Sequence, residues 1–173
     1  MNSLDALEFL PYLEAGQIPE GPFLGKVGVY AIFDGDRTLQ YIGFSRDIYF
    51  SLKQHLTRRP QSCHWVKQQL VDRPSRTALE AIRQNWIAAW GSIPVGNGAD
   101  EALWAQAIDA KTWITPAEQA AYEAADDAGK IKVLKQLARR VEEEIKASLT
   151  ARGVTMALRF DPKLKEQGLL TLK

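Results

Sequence analysis

The stretch that decides the fold is "GVYAIFDGDRTLQYIG", which runs from Gly28 to Gly43. Both of its arms are rich in β-branched and aromatic residues, which favour strands. The "DGDR" between them is typical of a tight turn. The stretch therefore predicts an antiparallel hairpin with Tyr30 on one arm and Tyr41 on the other. In the simplest interpretation, the two tyrosines only pack against each other across the hairpin.

The segments that follow predict a helix, a strand and a second helix. "SRDIYFSLKQHLTRR" places Ile48, Leu52 and His55 on one helical face, with Ser45 as the expected N-cap. "HWVKQQLVD" alternates in part and is a candidate third strand. "SRTALEAIRQNWIAAWG" has the apolar spacing of a helix that ends at Gly91.

The two ends of the chain predict helices of a different character. Residues 3–14 indicate a short amphipathic helix cut at Pro11, with Ser3 as its N-cap. After Thr115, which forms a capping-box pattern with Glu118, the chain is rich in Ala, Glu, Lys and Leu. A break near Gly129 and a long helix from about residue 130 are expected.

These elements together predict an α/β fold. We expect a small three-stranded antiparallel sheet flanked by helices, with a C-terminal helical extension. The predicted divisions are an N-terminal helix and loop over residues 1–25, a central domain over residues 26–98 and the extension over residues 99–173.

Composition narrows the class of protein. The 173 residues carry a net charge of +1, so contact with nucleic acid requires a local basic patch rather than an overall positive field. The single cysteine, Cys63, excludes an internal disulfide framework and favours a reducing compartment. Without a leader-like start or a long apolar run, we expect no membrane span and a cytoplasmic location, or the plastid stroma after loss of a transit peptide.

The hairpin and the segments after it resemble the GIY-YIG nuclease family. Tyr30 and the triplet Tyr41-Ile42-Gly43 match its two signature triplets. "PVGN", which ends at Asn97, matches a later loop of the family pattern. Residues that also fall in register are Ser45, Asp47, Ile48, Leu52 and His55. Within this family, the sequence resembles the nuclease-like module fused to plastid monothiol glutaredoxins and stand-alone cyanobacterial relatives. That module also carries "GVYA", a similar loop and a cysteine near Cys63.

The resemblance implies metal-assisted hydrolysis of a phosphodiester with Mg²⁺ or Mn²⁺. In the family a tyrosine relays a proton, an arginine neutralises the phosphate and a glutamate holds the metal. Here Ser51 stands at the arginine position and Arg83 at the glutamate position. Glu80, one helical turn before Arg83, is the substitute metal ligand we expect. Because two groups of the site are replaced, weak or lost hydrolysis is expected.

The resemblance assigns roles to residues that have plainer interpretations. His55 alone is more typical of a helix-face histidine, and Asn97 alone is typical of a turn. The predicted catalytic set is Tyr30, Tyr41, His55, Glu80 and Asn97. The residues expected to contact nucleic acid are Gly43, Arg46, Lys53, Arg58 and Arg73.

Three hypotheses follow for function. The leading one is a degenerate GIY-YIG module that binds DNA, RNA or a protein without efficient cleavage. The second is an active metal-dependent endonuclease. The third is a scaffold that docks a protein complex through residues 115–152.

Overall fold

The computed structural model describes residues 3–173 and divides the chain into two compact units. The first unit extends to Gln106 and includes Val154–Met156. The second comprises Ala107–Gly153 and Ala157–Lys173. The domain limits predicted from composition stay predictions.

The first unit is built on a four-stranded antiparallel sheet, which confirms the predicted α/β class. Its strands are β1 (Leu10–Pro11), β2 (Gly28–Phe33), β3 (Leu39–Ser45) and β4 (Trp65–Leu70). The order across the sheet is β1-β4-β2-β3, so the predicted hairpin β2–β3 places β3 at an edge.

Helices cover the two faces of this sheet. They are α1 (Glu20–Phe23), α2 (Ile48–Arg58), α3 (Arg76–Trp90) and α4 (Glu101–Ala105). Alternate residues of β2 serve opposite faces. Val29, Ala31 and Phe33 belong to one buried cluster with Leu79, Ile82 and Trp86 of α3. Tyr30 therefore lies on the other face, where its hydroxyl meets His55 of α2.

The predicted helix over residues 3–14 is wrong. The structure has a short 3-10 turn at Leu4–Ala6, without a side-chain cap from Ser3, and then strand β1. Pro11 has no N–H to donate, which stops a helix but suits a strand at a sheet edge. β1 pairs with β4 through Leu10–Val66 and Pro11–Trp65, and this adds the fourth strand.

The start of α2 also differs from the prediction. Asp47, not Ser45, is the N-cap, because its carboxylate accepts from the N–H of Phe50. Ser45 instead ends β3, and its hydroxyl binds both backbone groups of Asp47. Ser45 thus fixes the turn from strand to helix rather than the helix start.

The second unit contains a two-stranded sheet, β5 (Ile108–Asp109) with β6 (Leu169–Leu170), and two helices. Helix α5 (Pro116–Ala124) starts with the predicted reciprocal capping box of Thr115 and Glu118. Helix α6 (Asp127–Ala151) begins earlier than expected, because Asp126 caps it by accepting from the N–H of Gly129. Its buried face consists of Leu137, Ala138, Val141, Ile145 and Leu149 together with Glu142.

Within residues 3–173, none of the helices has the combined length and apolarity that a bilayer crossing demands.

Candidate functional site

The strand register brings the two signature tyrosines to one face of the sheet. Tyr30 pairs with Gly43, and Ile32 pairs with Tyr41, so both phenols lie on the α2 side. A Cβ atom at Gly43 would lie 2.6 Å from the Tyr41 ring and 2.7 Å from the Tyr30 hydroxyl oxygen. Only glycine fits beneath this tyrosine pair. Gly43 is thus a packing requirement of the site, and its contact with nucleic acid stays a prediction.

Tyr30 and His55 form a buried polar pair. The Tyr30 hydroxyl lies 2.8 Å from Nε2 of His55. Next to this pair, the Ser51 hydroxyl donates to the Ser45 hydroxyl at 2.7 Å. Cys63 is buried behind it, with Sγ 3.7 Å from the His55 carbonyl oxygen. Ser51, which stands at the arginine position of the family that the sequence resembles, therefore has its hydroxyl in a hydrogen bond with Ser45.

Burial keeps these groups uncharged at neutral pH. It raises the pKa of Tyr30 well above its usual value, and the neighbouring Tyr41 adds to this shift. Burial also lowers the pKa of His55 to about 3, with the positive charge of Arg58 as the next cause. A general base works best with a pKa near the working pH. The pair is thus poorly suited to accept a proton from water.

Tyr41 is held between aromatic neighbours. Its ring stacks on Trp104 with centroids 5.5 Å apart and an interplanar angle of 2°. The His55 ring lies 4.7 Å away on centroids. Burial raises the pKa of Tyr41, opposed by the charges of Arg83 and then Arg58. Tyr41 therefore stays a neutral phenol with a fixed ring plane.

The side chain of Asn97 is hydrogen-bonded to the edge strand of the sheet. Its Oδ1 accepts from the N–H of Ile42 at 2.8 Å, and its Nδ2 donates to the carbonyl of Ile42 at 2.7 Å. These two hydrogen bonds satisfy backbone groups of edge strand β3 that have no neighbouring strand to pair with. Asn97 therefore positions β3, a role that the turn interpretation did not anticipate.

A cleft of about 150 Å³ opens where Tyr41 and Asn97 meet α3 and α4. Arg83 enters it from α3, beside Gln84 and Ile87, and Glu101 enters from α4. Glu80 instead lines the adjoining cleft, where it pairs with Arg83 at 2.6 Å. The charged side chains that accompany Tyr41 and Asn97 are thus the guanidinium of Arg83 and the carboxylate of Glu101. Glu80, the substitute carboxylate predicted from the sequence, lies to one side.

The donor set of this cleft does not fit the divalent cation that the resemblance implies. Mg²⁺ and Mn²⁺ prefer several oxygen ligands, carboxylates among them. Glu101 is the single carboxylate in the lining of the cleft, and Arg83 repels a cation from the same space. Across residues 3–173, no cluster of three or more His, Cys, Asp or Glu side chains is arranged to hold a metal.

Two further clefts continue from this one along α3. The first, of about 620 Å³, shares Arg83 and Gln84 with it and extends to Arg76. The second, of about 540 Å³, shares Arg76 and extends to Arg46. We call this run of three clefts, with Arg46, Arg76 and Arg83 along it, the arginine trough. The lining of the cleft at the Arg46 end is Val27, Phe44, Ser45, Arg46, Pro74, Ser75, Arg76 and Leu79, with no acidic residue.

An aromatic ring lies at the Arg46 end of the arginine trough. Phe44 of β3 forms part of the lining at the Arg46 end. The Arg83 guanidinium carbon lies 5.2 Å from the centroid of the same ring, within the range of a cation–π contact. The arginine trough therefore combines cations with a flat apolar surface.

The other predicted nucleic-acid contacts lie elsewhere. Arg58 is half-buried and donates to the Trp104 carbonyl at 2.9 Å, so it supports the aromatic stack. The Lys53 ammonium lies 5.7 Å from the centroid of the Tyr49 ring on α2. Arg73 is exposed in the segment before α3 and does not line the trough. Of the predicted set, Arg46 is the residue that the structure places in the arginine trough.

Sequence reasoning missed Trp104, Glu101 and Arg76 as parts of the site. Trp104 belongs to a short helix in a segment that resembles a loop in sequence, and its stack on Tyr41 depends on tertiary packing. Glu101 follows Asn97 by four residues, but the two belong to separate elements, so helical spacing does not connect them. Arg76 carries no local signal that connects it to Arg83, seven residues later on the same helix.

No model of a known protein family matches this sequence. Among curated proteins, the chain is similar to the bifunctional monothiol glutaredoxin-S16, chloroplastic, of Arabidopsis thaliana, at 36% identity over 101 residues. The match covers 56% of this chain and 33% of that protein, so the chain spans about a third of the relative's length. This confirms the predicted link to a plastid monothiol glutaredoxin, and the GIY-YIG assignment stays a prediction.

Proposed function

We propose that the first unit is a GIY-YIG-type module that has lost efficient phosphodiester hydrolysis and binds nucleic acid along the arginine trough. The observation that carries this proposal is the presence of an arginine, Arg83, in the cleft of about 150 Å³ beside Tyr41 and Asn97. Arg83 shares the cleft with Tyr41 and Asn97, and Ser51 occupies the usual arginine position. The guanidinium of Arg83, which also pairs with Glu80, is the group of this cleft that suits phosphate oxygens without a metal.

The shape of the arginine trough favours a single strand. Arg76 and Arg83 are seven residues apart on one helix, or about 10 Å along its axis, which is the scale of two nucleotides. Proteins that hold single strands combine a basic groove with aromatic side chains on which bases stack. Phe44 supplies such a surface beside Arg46 and Arg76.

The pKa values argue against the active endonuclease. Tyr30 and Tyr41 have raised pKa values, and the lowered pKa of His55, about 3, leaves it a weak base. A proton relay needs a group that changes protonation near the working pH. The site accordingly suits recognition better than hydrolysis.

Binding is tested by fluorescence anisotropy with labelled single-stranded and duplex oligonucleotides in the presence of EDTA. We expect salt-sensitive binding that prefers single strands. Arg46→Gln and Arg76→Gln each weaken it and reduce the salt slope by about one phosphate contact. Lys53→Gln removes one charge outside the trough and is the matched control. Equal losses in all three variants would contradict the proposal, as would an absence of binding.

Hydrolysis is tested separately with supercoiled plasmid and single-stranded substrates in Mg²⁺ or Mn²⁺. We expect no cleavage above the level of a Tyr41→Phe variant. Metal-dependent nicking that disappears in Tyr41→Phe would establish the endonuclease instead.

A further inference from the structure

The second unit carries a basic cleft that the proposed function does not use. Its volume is about 260 Å³, and its lining comes from α6 and the segment 162–166. The lining residues are Lys135, Arg139, Pro162, Lys163, Lys165 and Glu166. Four of these six side chains are cations, and we call this feature the lysine cleft.

Two of the four cations are neutralised within the protein. Both oxygens of the nearly buried Glu142 lie 3.0 Å from the Lys165 ammonium. Lys135 pairs with Glu166 at 3.5 Å. These contacts fix one cation on each wall of the lysine cleft. They also pair the carboxylates of Glu142 and Glu166 with cations of the cleft.

The other two cations, Arg139 and Lys163, have no acidic partner among the described residues. Arg139 follows Lys135 by four residues, so the two like charges lie on one face of α6, which is unfavourable in the absence of an anion. Asp161, the nearest acid in sequence to Lys163, accepts from the backbone N–H of Lys163. An arginine and a lysine thus face one cleft with uncompensated charge.

We infer that the lysine cleft binds a small molecule through its phosphate or diphosphate group, with Arg139 and Lys163 as the principal ligands. An arginine offers paired N–H donors that match two phosphate oxygens, and a lysine adds a mobile point charge. The ammonium of Lys165, held by Glu142, adds a fixed positive charge to the wall of the site. The cleft is larger than one phosphate needs, which favours a diphosphate. This site belongs to the second unit and does not depend on nucleic-acid binding by the first.

The test is isothermal titration calorimetry of the full chain with inorganic phosphate and with pyrophosphate. Sodium chloride at matched ionic strength controls for general screening. We expect saturable binding that is tighter for pyrophosphate. Arg139→Gln and Lys163→Gln each weaken it by about tenfold, since each removes a charge-assisted contact. Lys132→Gln, an exposed cation of α6 outside the cleft, leaves it unchanged.

NMR chemical shifts of the backbone amides locate the binding site independently of the variants. The inference predicts shifts concentrated in residues 135–139 and 162–166. It is overturned if pyrophosphate acts no differently from chloride. Binding that survives in both Arg139→Gln and Lys163→Gln, or shifts that fall in the arginine trough alone, would overturn it as well.

Discussion

The amide of Asn97 binds both backbone polar groups of Ile42, accepting at 2.8 Å and donating at 2.7 Å across 55 residues of sequence. It completes the edge of β3 next to Tyr41. Asn97→Ala leaves the N–H and the carbonyl of Ile42 without their protein partner, and such losses cost about 1–3 kcal/mol. We expect this decrease in the free energy of unfolding, measured by urea denaturation.

The companion variant Asn97→Asp keeps the acceptor and removes the donor. A carboxylate oxygen then faces the Ile42 carbonyl, so Asn97→Asp is expected to be no more stable than Asn97→Ala. An Asn97→Ala variant of full stability that fails only to bind oligonucleotide would show that the amide contacts the ligand rather than the strand.

Gly43 is predicted to be intolerant of any side chain. In Gly43→Ala the new methyl group would lie 2.6 Å from the ring of Tyr41 and 2.7 Å from the Tyr30 hydroxyl oxygen. Overpacking of this kind costs about 1–3 kcal/mol, and here it also displaces Tyr30 from His55. The measurement is thermal unfolding together with the His55 side-chain NMR signals.

Gly21→Ala is the matched control, because no heavy atom other than those of its chain neighbours and its own helix backbone lies within 4 Å of a Cβ at that position. It is expected to be neutral or slightly stabilising, as alanine in a helix is favoured over glycine. If Gly43→Ala behaves like Gly21→Ala, the tyrosines are not packed as described.

Because the pKa of His55 is lowered in the folded protein, the free energy of unfolding is predicted to depend on pH. Its folded pKa is lowered to about 3, mainly by burial, whereas an unfolded histidine titrates near 6.5. Between these values the unfolded chain binds a proton that the folded chain does not. The free energy of unfolding therefore falls as the pH is lowered through this range, by up to about 1.4 kcal/mol per pH unit.

Denaturation of the wild type and of two variants from pH 7 to pH 4 checks this dependence. His55→Gln removes the contribution, and His64→Gln, at the second histidine of the sequence, keeps it. An NMR titration that finds His55 protonating near pH 6 would contradict the buried, neutral pair.

Glu118, in the second unit, is a carboxyl group whose lowered pKa also makes stability depend on pH. Hydrogen bonds from Arg140 hold the pKa of its carboxyl at about 2. A depressed carboxyl pKa stabilises the fold above the unfolded value near 4.5, and this stabilisation is lost as the pH falls through 2. We expect Arg140→Gln to return the Glu118 pKa towards 4.5 in a carbon-13 NMR titration. An unchanged titration would mean that the Thr115 cap, and not Arg140, holds the carboxylate.

Local sequence signals predicted the hairpin, the helices α2 and α3 and the capping box of α5. Each of these elements is predicted by a signal that lies within a few residues, namely strand propensity, apolar spacing or a reciprocal cap. The short strand β1 has no such signal, since two residues cannot show a period and Pro11 favours no regular element. Its pairing with β4 depends on contacts that are distant in sequence.

The candidate site was predictable in part. The resemblance named Tyr30, Tyr41, His55 and Asn97. The structure brings the first three together on one face of the sheet and places Asn97 against edge strand β3. The resemblance could not show that the Asn97 amide forms its hydrogen bonds with the backbone of Ile42. Nor could it show that Glu80 pairs with Arg83 or that Trp104 stacks on Tyr41. Each of these side chains has several possible partners nearby. Which partner it contacts depends on tertiary packing, which helical spacing does not determine.

The central claim is that arginines replace a metal in recognising phosphate. The most direct measurement is the affinity for a single-stranded oligonucleotide in EDTA and in Mg²⁺, with the same samples analysed for cleavage products. The account predicts binding in EDTA, equal or weaker binding in Mg²⁺ through ionic competition, and intact oligonucleotide in both. Binding that requires Mg²⁺ and is accompanied by cleaved product would contradict it.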